Sequence, residues 1–360
     1  MLGLGALSVP GLAAALNTRG FTHGVASGEP THTSVLLWTR YVAERDVKLR
    51  AEIALDAGFK RTVVGGETMA AVERDHTAKV VLDGLQPGRW YFYRFIAPNG
   101  MISRVGRTRT LPEGAVDRFG IALFSCSNLP FGYFNAYAHA ASRDDLDLAL
   151  HVGDYIYEYQ RGVYPDAKSA VAERSIDPAH EILTLADYRL RYACYRLDPD
   201  LQALHARLPM IAQWDDHEIA NDSWRNGAEN HQPETEGSWE TRKAVAMRVY
   251  REWMPVADDL WKEYQIGHLA TLYKVETRIA GRSGPVDISA ALRGATDVDR
   301  AIGKFRDDVW RDPTRTLMGA EQENWLHAAL ASSKRAGTRW QVLAQQVVMG
   351  DVLMPQAVSG

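Results

Sequence analysis

Three apolar runs of the sequence each end in a cluster of polar, chemically reactive residues. The runs and clusters are 119–124 with SCSN (125–128), 146–152 with GDYIY (153–157), and 210–214 with DDHE (215–218). Runs this short and this apolar are typical of buried strands in a sheet that is covered on both faces. In open α/β sheets, ligands bind outside the carboxyl ends of the strands. The pattern therefore predicts an α/β sheet on which three polar clusters converge.

Helical patterns alternate with these strands in the second part of the chain. They cover residues 134–143, 185–195, 199–208, 240–253 and 320–332, and further strands are predicted at 271–276 and 340–348. Alternation of this kind favours a layered α/β domain. The polar, small-residue-rich segment 281–300 is interpreted as a surface excursion.

The first part of the chain has a different pattern, made of short strands and turns. Strands are predicted at 35–40, 49–55, 79–82 and 90–95, with turn-rich segments between them. This is typical of a β-sandwich of the fibronectin type III or immunoglobulin-like kind. With residues 111–114 as a linker, we predict a sandwich domain at 20–111, able to fold alone and not needed for chemistry, and an α/β domain at 115–360.

Composition and charge restrict the function. A length of 360 residues suggests about two domains, and a net charge of −4 without any basic run argues against a nucleic-acid partner. The two cysteines, Cys126 and Cys194, are too few for a disulfide framework. They could form one bridge in an exported protein, or one of them could have a chemical role.

The N-terminus resembles part of an export signal. Residues 1–16 carry no charged side chain, are too short to span a membrane, and include a small-residue stretch at 12–15 that suits signal cleavage. We therefore expect residues 1–19 to be a signal-peptide remnant of an exported protein. A leader of the twin-arginine type would suit the weak hydrophobicity, but its arginine pair is absent from this sequence. The alternative is a disordered or helical N-terminus of a cytosolic protein.

The Cys, Asp, Tyr and His residues of the polar clusters could form a metal shell. Taken singly, Cys126 could be a small buried residue, Asp154 part of a turn, and Tyr157 a core aromatic. The DDHE cluster is harder to explain by such a structural role. Four ionisable groups directly after an apolar strand would repel one another and lose hydration, which is unfavourable without a cation. Thiolate sulfur and phenolate oxygen suit a soft or trivalent metal, whereas carboxylate oxygens suit Ca²⁺, Mg²⁺ or Mn²⁺.

The combination of SCSN, HVGDYIYEY and WDDHE resembles the PhoD-like alkaline phosphatase/phosphodiesterase family, a relative of the purple acid phosphatases and the wider metallophosphoesterases. GDYIY resembles the GDxxY motif, and DDHE lies where the superfamily has GNH(D/E). The FTHGVASG segment (21–28) opens the N-terminal domain as in that family, and the similarity extends over nearly all of residues 20–350.

The resemblance implies a role for each site residue. Cys126 and Tyr157 would bind an iron-type metal (Fe³⁺), Asp154 would bridge it to a calcium-like site, and Asp216 would bind that second site. His217 would contact the phosphate and stabilise the transition state or protonate the leaving group. Asp215 and Asn221 are weaker candidates for the metal shell. The implied substrate is a small phosphate monoester or diester, hydrolysed by water that a dinuclear or larger iron and calcium cluster activates.

The chain departs from the family at its end. The family continues to a C-terminal GDxH-type histidine cluster, whereas here His217 is followed by His231, His268 and His327, none in such a motif. We therefore expect a chain truncated at both ends, a C-terminally incomplete α/β domain, and a metal shell lacking at least one ligand. The alternative function is an inactive, metal-binding remnant of the family. A serine hydrolase is excluded because the sequence has no G-x-S-x-G motif.

Overall fold

The structure is a computed structural model that describes residues 18–349. The expected signal-peptide remnant and the last residues of the chain, from 350 on, thus lie outside the described part, apart from residues 18 and 19. The described strands are β1 (Gly20–Gly28), β2 (Val35–Val42), β3 (Val47–Ala54), β4 (Thr62–Ala70), β5 (Thr77–Leu82), β6 (Trp90–Ile96), β7 (Gly106–Arg109), β8 (Ile121–Phe124), β9 (Leu148–His151), β10 (Met210–Ala212), β11 (Lys262–Ile266), β12 (Ala270–Lys274) and β13 (Trp340–Ala344).

Eight α-helices lie within residues 18–349. They are α1 (Asn135–Ser142), α2 (Leu185–Arg196), α3 (Pro199–Arg207), α4 (Pro233–Glu236), α5 (Trp239–Trp253), α6 (Ile288–Leu292), α7 (Val298–Phe305) and α8 (Ala320–Arg335). The strands and helices predicted from the sequence are confirmed, with shifts of a few residues at their ends. The segment 281–300, interpreted as a surface excursion, is mostly exposed. It contains α6 and the start of α7, whose first turns are capped by the side chains of Asp287 and Asp297.

The N-terminal region is rich in β-sheet, as predicted. The strands β5-β2-β1 form one antiparallel arrangement and β4-β3-β6-β7 form a second sheet. Leu37 and Tyr41 from the first pack with Ile53, Tyr93 and Phe95 from the second in one buried cluster. Alternating burial along β6 explains this, because successive side chains of a strand point to opposite faces.

The first of these sheets continues across the predicted domain boundary. Strand β1 pairs in parallel with β10, at Gly28 opposite Met210, which gives a six-stranded sheet in the order β5-β2-β1-β10-β9-β8. Gly28 is required at this junction, since a Cβ there would lie 2.0 Å from the Pro255 carbonyl oxygen. The indole of Trp38 also donates a hydrogen bond to the Glu252 carbonyl of α5, at 2.8 Å. Independent folding of residues 20–111 stays a prediction.

The α/β part is layered around the parallel strands β8, β9 and β10. On one face, helices α1, α2, α3 and α5 cover the sheet. On the other, Leu148, Leu150 and Ile211 pack against Tyr264 and Leu272 of the three-stranded sheet β11-β12-β13. Both faces are thereby buried, and the carboxyl ends of the parallel strands open at one edge. In the described part, no helix is both long and apolar enough to cross a membrane.

Candidate metal centre

The loops that follow β8, β9 and β10 bring the predicted site residues together. The Cys126 thiol donates to Asp154 Oδ2 at 3.4 Å, and the Tyr157 hydroxyl donates to the same oxygen at 3.1 Å. One ligand atom each of Asp154, Asp216 and His217 lies within 4.8 Å of the other two. Four residues from three strand ends therefore surround the Asp154 carboxylate.

Two residues at the site have backbone conformations that residues other than glycine rarely adopt. Cys126 and Asp154 have φ angles of 60° and 54°, in the left-handed region that non-glycine residues rarely occupy. Gly153, with φ 104°, could carry no side chain, because a Cβ would lie 2.3 Å from the Asp215 amide nitrogen. The Cys126 amide donates to the Gly153 carbonyl at 3.2 Å. Non-glycine residues that the surrounding structure keeps in the left-handed backbone conformation are typical of functional sites.

The buried carboxylate of Glu218 fixes two of these loops to each other. It accepts backbone hydrogen bonds from the amides of Asp154 (3.2 Å), Tyr155 (2.6 Å) and Asp215 (2.8 Å). Burial raises the pKa of Glu218, as do the negative charges of Asp154 and Asp215, while the amide hydrogen bonds lower it. Glu218 thus positions the site without facing it.

Replacing Glu218 with glutamine is expected to destabilise the protein by about 2–3 kcal/mol. The glutamine NH₂ group would face backbone N–H groups, and those N–H groups would lose the oxygen that accepts their hydrogen bonds. Urea unfolding of the two proteins measures this. The control is Glu240→Gln, an exposed glutamate on α5 that pairs with Lys243 and should cost under about 0.5 kcal/mol. Equal effects of the two substitutions would contradict the positioning role.

His217 is held by a carboxylate behind it and by aromatic rings beside it. Its Nδ1 lies 2.8 Å from Glu158 Oε2. The other Glu158 oxygen accepts from the Asn221 amide at 2.7 Å and from the Asn230 side chain at 2.9 Å. The ring of Tyr157 lies 4.3 Å from the imidazole. Burial lowers the pKa of His217, but the hydrogen bond and charge of Glu158 outweigh it and raise the pKa to about 9.

Arg278 neutralises the outer carboxylates of the DDHE loop. Its guanidinium contacts Asp215 directly, reaches Asp216 Oδ1 at 3.4 Å, and reaches Asp222 Oδ1 at 3.5 Å. The Asp215 carboxylate is therefore engaged by Arg278 rather than by the residues around Asp154. Burial still raises the pKa of Asp215, to about 7, against the opposing effect of Arg278. The backbone amide of Asn221 donates a hydrogen bond to Glu158, and its side-chain amide donates one to Glu229 at 3.0 Å.

A cation fits the residues around Asp154. Burial raises the pKa of Asp154, and the neighbouring Asp216 raises it further, although His217 opposes this. Burial also raises the pKa of the Cys126 thiol and of the Tyr157 hydroxyl. The buried Asp154 Oδ1 has no hydrogen-bond partner among the described residues. A bound cation would satisfy that oxygen and favour the ionised form of all three groups.

This arrangement predicts a pH dependence for the metal-free protein. The carboxyls of Asp154, Asp215 and Glu218 have raised pKa values in the folded state, so unfolding releases protons. Stability should then fall as pH rises through about 7, where Asp215 loses its proton in the folded state, the reverse of the usual acid denaturation. Melting temperatures measured in chelator test this. Saturating metal should flatten the dependence, and a melting temperature that rises with pH in chelator would contradict the prediction.

Other residues considered from the sequence lie elsewhere. His231 pairs with Glu236 at 3.1 Å and packs on Trp239, while His268 and His327 are exposed. Cys194 is a free thiol buried in the helical core, and Cys126 is free as well, so the two form no disulfide.

Sequence reasoning missed three residues that organise the site. Glu158 directly follows Tyr157, and Glu218 ends the DDHE cluster, so both stood inside motifs that had been singled out. Arg278 follows β12 in a polar stretch after a strand, which is the same signal that identified the other clusters. None of the three could be assigned a partner before the fold placed the loops together.

The chain is similar to known phosphatases of one family. The family described as PhoD-like phosphatase matches residues 121–359, and its N-terminal domain matches residues 7–112. Alkaline phosphatase D of Bacillus subtilis (strain 168) is 37% identical over 350 residues, which are 91% of this chain and 56% of that protein. A solved structure of PhoD superposes with a TM-score of 0.79 at 34% identity, over 93% of this chain and 64% of the other.

The chain therefore spans a little over half of alkaline phosphatase D and somewhat under two thirds of the solved PhoD chain. The family match nonetheless covers more than half of the residues, including every loop of the candidate centre. The chain belongs to the PhoD-like phosphatase family.

Proposed function

We propose that this chain hydrolyses phosphate monoesters or diesters at a metal centre built on Asp154. The observation that carries this is the convergence of Asp154, Asp216 and His217 within 4.8 Å at the ends of β9 and β10. Carboxylates and an imidazole so placed offer both cation ligands and a cationic group for an anionic substrate. Family membership supports the reaction class.

The metals we propose are iron and calcium. Cys126 and Tyr157 supply sulfur and phenol oxygen, donors that suit an iron-type ion. Asp216 supplies carboxylate oxygen for a calcium-type ion, and Asp154, which contacts both sets, would be shared. When bound, such a cluster supplies an activated water and neutralises charge on the phosphate. The raised pKa values of Asp154 and Cys126 support a cation at this point.

His217 would act on the substrate. With its pKa near 9 it carries a proton at neutral pH, and Glu158 holds its Nδ1 side. The opposite nitrogen is then free to donate a hydrogen bond to a phosphate oxygen or a proton to the leaving alcohol. Glu158 would keep the ring oriented while this happens.

The N-terminal region would serve as a scaffold of the fibronectin type III or immunoglobulin-like kind. Support comes from its strand pairing, in which β2 pairs with β1 and β5, and β3 pairs with β4 and β6. Two facing antiparallel sheets of this size are typical of such sandwiches.

Assays of purified protein, dialysed with iron and calcium, test the proposed function. Hydrolysis of p-nitrophenyl phosphate or bis(p-nitrophenyl) phosphate should appear with metal, disappear with chelator, and return on adding metal again. Metal binding without turnover of either ester would instead favour the metal-binding remnant.

A further inference from the structure

A pocket adjoins the candidate metal centre. It encloses about 330 Å³, and its walls include Asp222, Trp224, Arg282, Ser283, Gly284 and Arg315. Asp222 is shared between the pocket and the centre. Its amide donates to Asp216 Oδ2 at 2.6 Å, and its carboxylate lies 3.5 Å from the guanidinium of Arg278.

The pocket contains hydrogen-bond donors that have no acceptor among residues 18–349. The guanidinium of Arg282 takes part in no hydrogen bond or ion pair there, and its Nη1 atom is buried. Arg278, four residues earlier, contacts three carboxylates. The Trp224 indole N–H has no acceptor in that part of the chain either. Gly284 lies beside this N–H, since a Cβ at that position would lie 3.4 Å from the indole nitrogen, an ordinary contact distance.

These donors suit an oxyanion. A buried guanidinium nitrogen without a partner is unfavourable, whereas a phosphate or carboxylate group can accept from a guanidinium and an indole together. Arg315 adds positive charge at the rim, where it donates to the Gly284 carbonyl. Asp222 contributes the opposing negative charge on the shared wall, and Arg278 offsets part of it.

We propose that this pocket binds a second anionic group of the substrate, a phosphate or carboxylate carried on the alcohol part of the phosphoester. The inference rests on the proposed function, because the first phosphate is taken to lie at the metal centre. Such a pocket selects substrates with two anionic groups over simple monoesters.

The test measures binding rather than turnover, by calorimetry on protein dialysed with iron and calcium. The probes are α,ω-bisphosphonates of increasing chain length, compared with an alkyl monophosphonate. Wild-type protein should bind one of the bisphosphonates more tightly than the monophosphonate. Arg282→Gln should reduce that preference about tenfold or more, since hydrogen bonds to charged groups contribute this much to affinity.

Two further variants complete the design. Trp224→Phe keeps an aromatic side chain, although a smaller one, and removes the indole N–H, so it should reduce the preference in the same direction. Arg335→Gln, at an exposed arginine in the last turn of α8, is the matched control and should leave the preference unchanged.

An unchanged preference in Arg282→Gln would overturn the proposal, even if that variant lost binding of free inorganic phosphate. The absence of any preference for bisphosphonates in the wild type would overturn it too. Because no turnover is needed, a failure of the proposed hydrolysis would be seen separately, in the ester assays.

Discussion

Replacing Asp154 with asparagine is expected to remove bound metal and to lower phosphoester turnover by at least ~10²-fold. Cys126 and Tyr157 both donate to this one carboxylate, and ligand atoms of Asp216 and His217 lie within 4.8 Å of it. A neutral amide there would leave the two proposed cations without their shared charge. Since changes outside the ligand shell already weaken metal binding about 10–100-fold, loss of a shared ligand should exceed this.

The same variant should not be less stable than the wild type when metal is absent. Burial raises the pKa of Asp154, so the ionised carboxylate is unfavourable in the metal-free fold and an amide relieves that cost. Metal content and melting temperature in chelator are the two measurements, with Asp117→Asn, at an exposed aspartate, as the control. A folded Asp154→Asn protein with its full complement of metal would show that the site is assigned to the wrong residue.

Replacing His217 with asparagine is expected to lower turnover ~10²-fold while leaving most of the metal in place. The ring is held by Glu158 on one side and by Tyr157 on its face, so its protonated form is available to an anionic substrate. Such a contact acts on charge that develops in the transition state more than on the resting protein.

The variant Glu158→Gln tests whether the orientation of the His217 ring matters for turnover, separately from any role of His217 as a metal ligand. It keeps the shape of the side chain but weakens the ion pair to His217, so it should lower turnover by less than His217→Asn does and leave metal content unchanged. The relevant comparison is kcat against metal content in both variants. Metal and activity lost in parallel in His217→Asn would identify His217 as a ligand, which its distance from Asp154 and Asp216 would also allow.

Much of the site was predictable because its signals are local. An apolar run followed by a polar cluster needs no distant information, so Cys126, Asp154 and Asp216 could be assigned to strand ends from the sequence alone. The structure confirms that these ends converge, through the parallel pairing of β8, β9 and β10.

The remaining features depend on contacts between residues far apart in the chain. Arg278 meets Asp215 across 63 positions, and the pairing of Gly28 with Met210 joins two regions that the sequence pattern separates. The short helices α6 and α7 were missed because a polar, glycine-containing segment carries little hydrophobic periodicity, and their aspartate caps are a weaker signal.

Anomalous X-ray diffraction at the iron absorption edge, on crystals grown with iron and calcium, would locate the metal relative to Asp154. We expect an iron peak within bonding distance of Cys126 Sγ, the Tyr157 hydroxyl oxygen and the Asp154 carboxylate. A protein that hydrolyses phosphoesters but has its iron peak away from these three residues, or none at that position, would contradict it.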